Sequence, residues 1–153
     1  MSDASAAAIG HRKPTGAEWT GIALVALLFV VNSVGTIALH YVFAATDADY
    51  AAQVAEGLGP LDNYDYYGIH RLVPLAAAIL TVMRHRWAVV TAWAWVGWLM
   101  LGIVRGVVEF GPEAIPFIQK GAPGVSVASA LAYGAFIAAA WYLVVLRRRG
   151  VLR

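Results

Sequence analysis

Residues 19–46 read WTGIALVALLFVVNSVGTIALHYVFAAT, 28 consecutive positions without a charged side chain and most of them apolar. A helix needs about 20 such residues to cross the roughly 30 Å hydrocarbon layer of a bilayer. This stretch is therefore long enough to span a membrane. A signal-peptide core is shorter, about 7 to 15 residues, and ends at a small-residue cleavage site. Here the run is nearly twice that length and holds Asn32 and His40, so we read it as a retained membrane helix.

Three more charge-free runs follow: 12 residues over 72–83, 18 over 87–104 and 26 over 121–146. The last two reach or approach a spanning length, while 72–83 is too short by itself. It becomes long enough if its helix starts near Tyr66, capped by Asp65, and continues to about Arg86. Pro74 is then an internal kink, and His70 and Arg71 fall in the first turns. The expected fold is all-α: an integral membrane four-helix bundle, N-in and C-in, with short interfacial helices in the outer loops. Its helices lie at about 19–45, 66–85, 87–110 and 124–147, within a transmembrane domain over 18–149. Residues 1–17 are expected to form a disordered cytoplasmic tail.

Composition agrees with that solvent. Of 153 residues 61% are hydrophobic and 13% charged, with a mean hydropathy of +0.68, against about 25% charge in a soluble domain. No cysteine is present. Disulfide frameworks, thiolate zinc sites, thioether haem attachment and dithiol redox chemistry are excluded with it.

Assigning helix ends alternately to two sides sorts the charges. One side receives eight basic residues (Arg12, Lys13, Arg84, Arg86, Arg147, Arg148, Arg149, Arg153) against Asp3 and Glu18, a net +6. The other receives Arg71, Arg105 and Lys120 against seven acids, a net −4. An excess of Lys and Arg marks the cytoplasmic side, so both termini are expected there, in a bacterial inner (cytoplasmic) membrane. Trp19, Trp87, Trp141 and Tyr142 would mark the inner headgroup level, and Tyr41, Tyr64, Tyr66, Tyr67 and Phe110 the outer one.

The basic hairpin Arg84-His85-Arg86 is expected to meet anionic headgroups. The first outer connection is expected to carry a short helix from Ala48 to Glu56, with Thr46 and Asp49 as a capping box and Gly57 as a stop. The second, over 111–119, holds two prolines in an apolar setting and is expected to lie on the bilayer surface or fold back over the bundle.

Ionisable groups at membrane depth usually face a bundle interior or a cavity. At about 1.5 Å per residue, His40 falls roughly 7 Å and His70 roughly 6 Å below the outer surface. Arg105 and Glu109 enter the same layer from the third helix. His40, His70, Arg71, Arg105 and Glu109 are therefore the candidate ligand-binding residues. Pro74 cannot donate to the His70 carbonyl, which leaves a free acceptor beside the imidazole. Asn32, Thr36 and His40 recur every four residues and form a polar stripe, with Asn32 and Thr36 read as structural interhelical contacts. The plainer role of Arg105 is to snorkel to headgroups. Gly102 with Gly106, and Ala128, Ala132, Ala135 and Ala139, are small-residue faces that permit close helix approach.

These residues admit three classes of function. The first is a small accessory subunit packed against a larger membrane complex. The second is a redox or metal protein, with His40 and His70 ligating haem b and Arg71 and Arg105 meeting its propionates, or with His40, His70 and Glu109 ligating a metal. The third is a binder of an amphiphile, or a membrane-embedded enzyme acting on a quinone or lipid. Expected partners are the lipid bilayer and either a larger complex or further copies of the chain, but no nucleic acid. The leading expectation is an accessory subunit or amphiphile-binding protein with a polar pocket in the outer half of the bundle.

Overall fold

The computed structural model describes residues 12–55, 64–112, 115 and 123–153. Among them the elements are α1 (Gly16–Thr46), α2 (Ala48–Ala55), α3 (Tyr64–Val82), α4 (Trp87–Phe110) and α5 (Pro123–Arg148). Three helices are long and apolar enough to cross a membrane: α1 over Gly16–Gly35, α4 over Trp87–Val108 and α5 over Ser126–Arg148. That is one fewer than the four expected. The backbone of α3 is helical over Tyr64–Val82, and among the described residues it carries a shorter apolar helix, Arg71–Val82.

The helix ends follow local chemistry. The Thr15 hydroxyl accepts from the Glu18 amide at 3.3 Å, and the Glu18 carboxylate accepts from the Thr15 amide at 2.9 Å. This reciprocal capping box satisfies two donors that a helix start leaves open, and it begins α1 at Gly16, ahead of position 19. At the other end of α1 the expected cap moves by one residue. Thr46 donates back to the Val42 carbonyl at 2.7 Å, while Asp47 accepts from the Asp49 amide at 3.0 Å and caps α2. A threonine inside a helix bonds the preceding turn, and the aspartate after it, outside the helix, is free to cap.

The helices run antiparallel in chain order. Trp19 on α1 lies under the Arg84 guanidinium, 5.9 Å from ring centre to carbon, and Ser33 donates to the Arg71 carbonyl at 3.0 Å. Fourteen residues up α1 thus match thirteen down α3. The α3–α4 hairpin turns at Arg84, whose φ of 55° is left-handed. There the Arg84 amide bonds Thr81 at 3.0 Å and the His85 amide bonds Leu80 at 2.8 Å, a Schellman ending. On the last pair of helices Trp95 meets Phe136 edge to face, with centroids 6.2 Å apart.

The core lies at one end. Ile22, Val25, Ala26 and Phe29 of α1 pack with Ala77 and Ala78 of α3, Ala88, Ala92, Trp95 and Val96 of α4, and Phe136, Ala140, Leu143 and Leu146 of α5. Phe29 and Phe136 meet with ring centres 5.6 Å apart, so α1 reaches α5 as far as mid-helix. Beyond that level the burial stops. Among the described residues, no side chain after Ser33 on α1, before Pro74 on α3, after Val96 on α4 or before Phe136 on α5 is buried. Among the described residues the basic half is closed and the acidic half open.

Candidate functional site

Where the closed half meets the open one, α1 and α3 build a polar junction. Pro74 is fully buried and sits inside α3. A proline leaves the carbonyl four residues earlier without its helical donor and disturbs the turn around it. Ser33, 3% exposed, crosses from α1 and gives its hydroxyl proton to the carbonyl of Arg71, within that turn. A hydroxyl on a neighbouring helix commonly supports a proline-disturbed turn in this way. Such an interhelical bond contributes about 0.6 kcal/mol in a membrane protein. The Arg71 side chain is half-buried, with Nε and Nη2 shielded from solvent. Along α3 it stands about 20 Å from Arg84, on the floor of the open half.

The sequence-derived candidates separate here. Arg71 joins the junction, and Asn32, half-buried on α1, is the neighbour in sequence of Ser33. Arg105 is exposed on α4. The side chains of Thr36, His40, His70 and Glu109 lie outside the described residues, as do Gly57 and most of the connection over 111–119. The backbone register still bears on the histidines. The pairing of Ser33 with Arg71 and Trp19 with Arg84 sets position 70 level with position 34. Whether His40 and His70 meet lies outside the described residues.

The small-residue faces also divide. Gly21, in the closed half, lies so near the Tyr142 ring that a Cβ would overlap its hydroxyl. Gly102, in the open half, has nothing within 4 Å of where a Cβ would stand. On α5 Ala139 is buried, whereas Ala128 and Ala132 are exposed. Among the described residues, the close approach expected at Gly102 is therefore not made, and Ala128 and Ala132 stay exposed.

At the basic end, sequence reasoning missed a three-part tie. The Glu18 carboxylate, 7% exposed, pairs with Arg12 and, at 3.5 Å, with Arg149. The Tyr142 hydroxyl donates to the Glu18 carbonyl at 3.4 Å. After α5, Gly150 takes a φ of 71°, and the Val151 amide bonds Leu146 at 3.0 Å, a second Schellman ending. Val151 and Leu152 are then buried. The Arg153 amide donates to the Arg84 carbonyl at 2.7 Å, Arg86 donates back to Arg153, and the Arg12 amide donates to Gly150 at 3.1 Å. Residues 12–17, expected in the disordered tail, are thus held in place, while residues 1–11 lie outside the described ones. The signals were present in the sequence: Thr15-x-x-Glu18 before an apolar run, and Gly150 followed by two apolar residues.

Among the described residues, no group of three His, Cys, Asp or Glu side chains lies close enough to hold a metal ion. Comparison of the chain with family models, with curated proteins and with solved structures gave no match. The functional reading therefore rests on geometry and physical chemistry.

Proposed function

We propose that this chain is an accessory subunit of a bacterial cytoplasmic membrane, crossing it four times with its basic end in the cytoplasm. The closed half anchors the fold, and the open half receives helices of a larger membrane partner. The register supports the fourth crossing, since the chain from Arg84 back along α3 to Arg71 runs beside α1. The net +6 against −4 supports the orientation.

The observation that carries the accessory reading is Gly102 on α4, which among the described residues has nothing within 4 Å of where a Cβ would stand. Small residues on membrane helices serve close helix contact, and here that contact is left to another chain. On α5, Ala128 and Ala132 are small residues that also stay exposed. The test is cross-linking in native membranes followed by purification of wild type and Gly102→Leu. The reading expects a stable complex with the wild type and its loss with Gly102→Leu, at an unchanged melting temperature. A wild-type chain recovered only as a partnerless monomer contradicts it.

Arg71 favours a second reading, in which the open half binds an amphiphile with an anionic or carbonyl head. Its Nε and Nη2 are shielded from solvent about 20 Å from the basic end. Arg71→Gln separates the two readings. It abolishes amphiphile binding under the second and leaves the cross-linked complex intact under the first.

A further inference from the structure

A site of different chemistry lies at the opposite end. Arg86, Trp87 and Val90 at the start of α4 and Arg147 at the end of α5 line a surface cavity of about 190 Å³. Two guanidinium groups thus come from two separate helices. Neither has an ion-pair partner among the described residues; the buried acid at this end, Glu18, is paired with Arg12 and Arg149. The start of α4 adds the partial positive charge of a helix amino terminus. Beneath the cations the lining changes to Trp87 and Val90, both exposed.

Cation above and apolar surface below is the order of a phospholipid, with its phosphate at the headgroup level and its chains along the helices. We propose that this cavity binds the phosphate headgroup of one anionic phospholipid, held by Arg86 and Arg147, with Trp87 at the glycerol level and Val90 against the acyl chain. Arginine suits the role because its planar fork gives two parallel hydrogen bonds to phosphate oxygens. A free phosphate would share the guanidinium contacts but gain nothing from Trp87 and Val90, so the apolar floor commits the site to lipid. The inference rests on membrane placement with the basic end at the headgroups, and not on the accessory role or on the open half.

The test is native mass spectrometry of the full chain released from detergent micelles doped with phosphatidylglycerol or phosphatidylcholine, with inorganic phosphate as competitor. Arg86→Gln/Arg147→Gln is compared with Lys13→Gln/Arg148→Gln, which removes the same charge from exposed positions of the same end. Circular dichroism checks that both variants keep their helices. The proposal expects one bound phosphatidylglycerol per wild-type chain, roughly 30-fold weaker binding in the Arg86/Arg147 variant, and a smaller loss in the control. Equal losses in both variants mean diffuse attraction to basic charge and overturn it. Equal binding of phosphatidylcholine, or displacement of the lipid by millimolar inorganic phosphate, overturns it as well. A complex that still cross-links through the open half while the lipid is lost leaves the accessory reading standing, which separates the two outcomes.

Discussion

The two halves of this molecule are made from the same helices and nearly the same amino acids, yet only one is closed. In the basic half, Phe29, Trp95, Phe136 and Leu143 are buried against one another, and the ends of the chain segments are tied by Glu18, the Arg84 turn and the 150–153 tail. In the acidic half, Leu101, Val104, Val108, Val127 and Leu131 are all more than half exposed. Apolar composition is therefore not what closes a bundle in a bilayer, because lipid tails are as apolar as leucine. Packing, capping and polar ties close it. The half in which no described side chain is buried is the half we assign to a partner.

Large-to-small substitutions give the strongest contrast. Phe29→Ala, at a fully buried position, should cost about 3–5 kcal/mol. Leu131→Ala, 69% exposed, should cost less than about 0.5 kcal/mol, as surface changes do. Unfolding free energies in mixed micelles measure both, and similar costs would erase the distinction between the halves.

The two glycines give a smaller and more selective contrast. Gly21→Ala pushes the Tyr142 ring away and should destabilise by about 1–2 kcal/mol, since overpacking outweighs the better helix propensity of alanine. Gly102→Ala meets open space and should stabilise the isolated chain by up to about 1 kcal/mol. A destabilising Gly102→Ala would mean that another element already fills that face.

Thr15→Ala removes the hydroxyl half of the capping box and should cost about 1 kcal/mol. Smaller again is Arg84→Gly. Glycine relieves the left-handed backbone at φ 55° while losing the contact with Trp19, so the net gain should be within about 1 kcal/mol. Thermal midpoints of the two variants against wild type check their order and sign. A neutral Thr15→Ala would show that the tie at Glu18 does not depend on the cap.

The sequence revealed the helices because spanning length and absence of charge are summed over many residues and survive local exceptions. The closed end was less legible. Glu18 entered the reading as a minority charge on a basic side, whereas in the fold it caps α1 and joins Arg12 and Arg149. The polar layer was legible in its residue types but not in its alignment. Depths counted from each helix end say nothing of how α1 and α3 are staggered, which is set by Ser33 meeting the turn that Pro74 disturbs. That contact joins residues 38 apart, and no periodicity within one helix contains it. Gly102 looked like a packing residue in the sequence. Only the fold shows that, among the described residues, nothing packs against it.

The absence of cysteine makes the central claim directly measurable, since each introduced cysteine pair is labelled alone. Spin labels at Val90 and Trp141 report on the closed half of α4 and α5, and labels at Val104 and Val127 report on the open half. All four positions are exposed, and both pairs keep the register of the Trp95–Phe136 contact. Double electron–electron resonance in lipid nanodiscs should give a narrow distance distribution for the first pair. For the second it should give a broad one that sharpens when the chain is extracted with its native partner. Equally narrow distributions for both pairs in the isolated chain would contradict the account, because the acidic half would then close on itself.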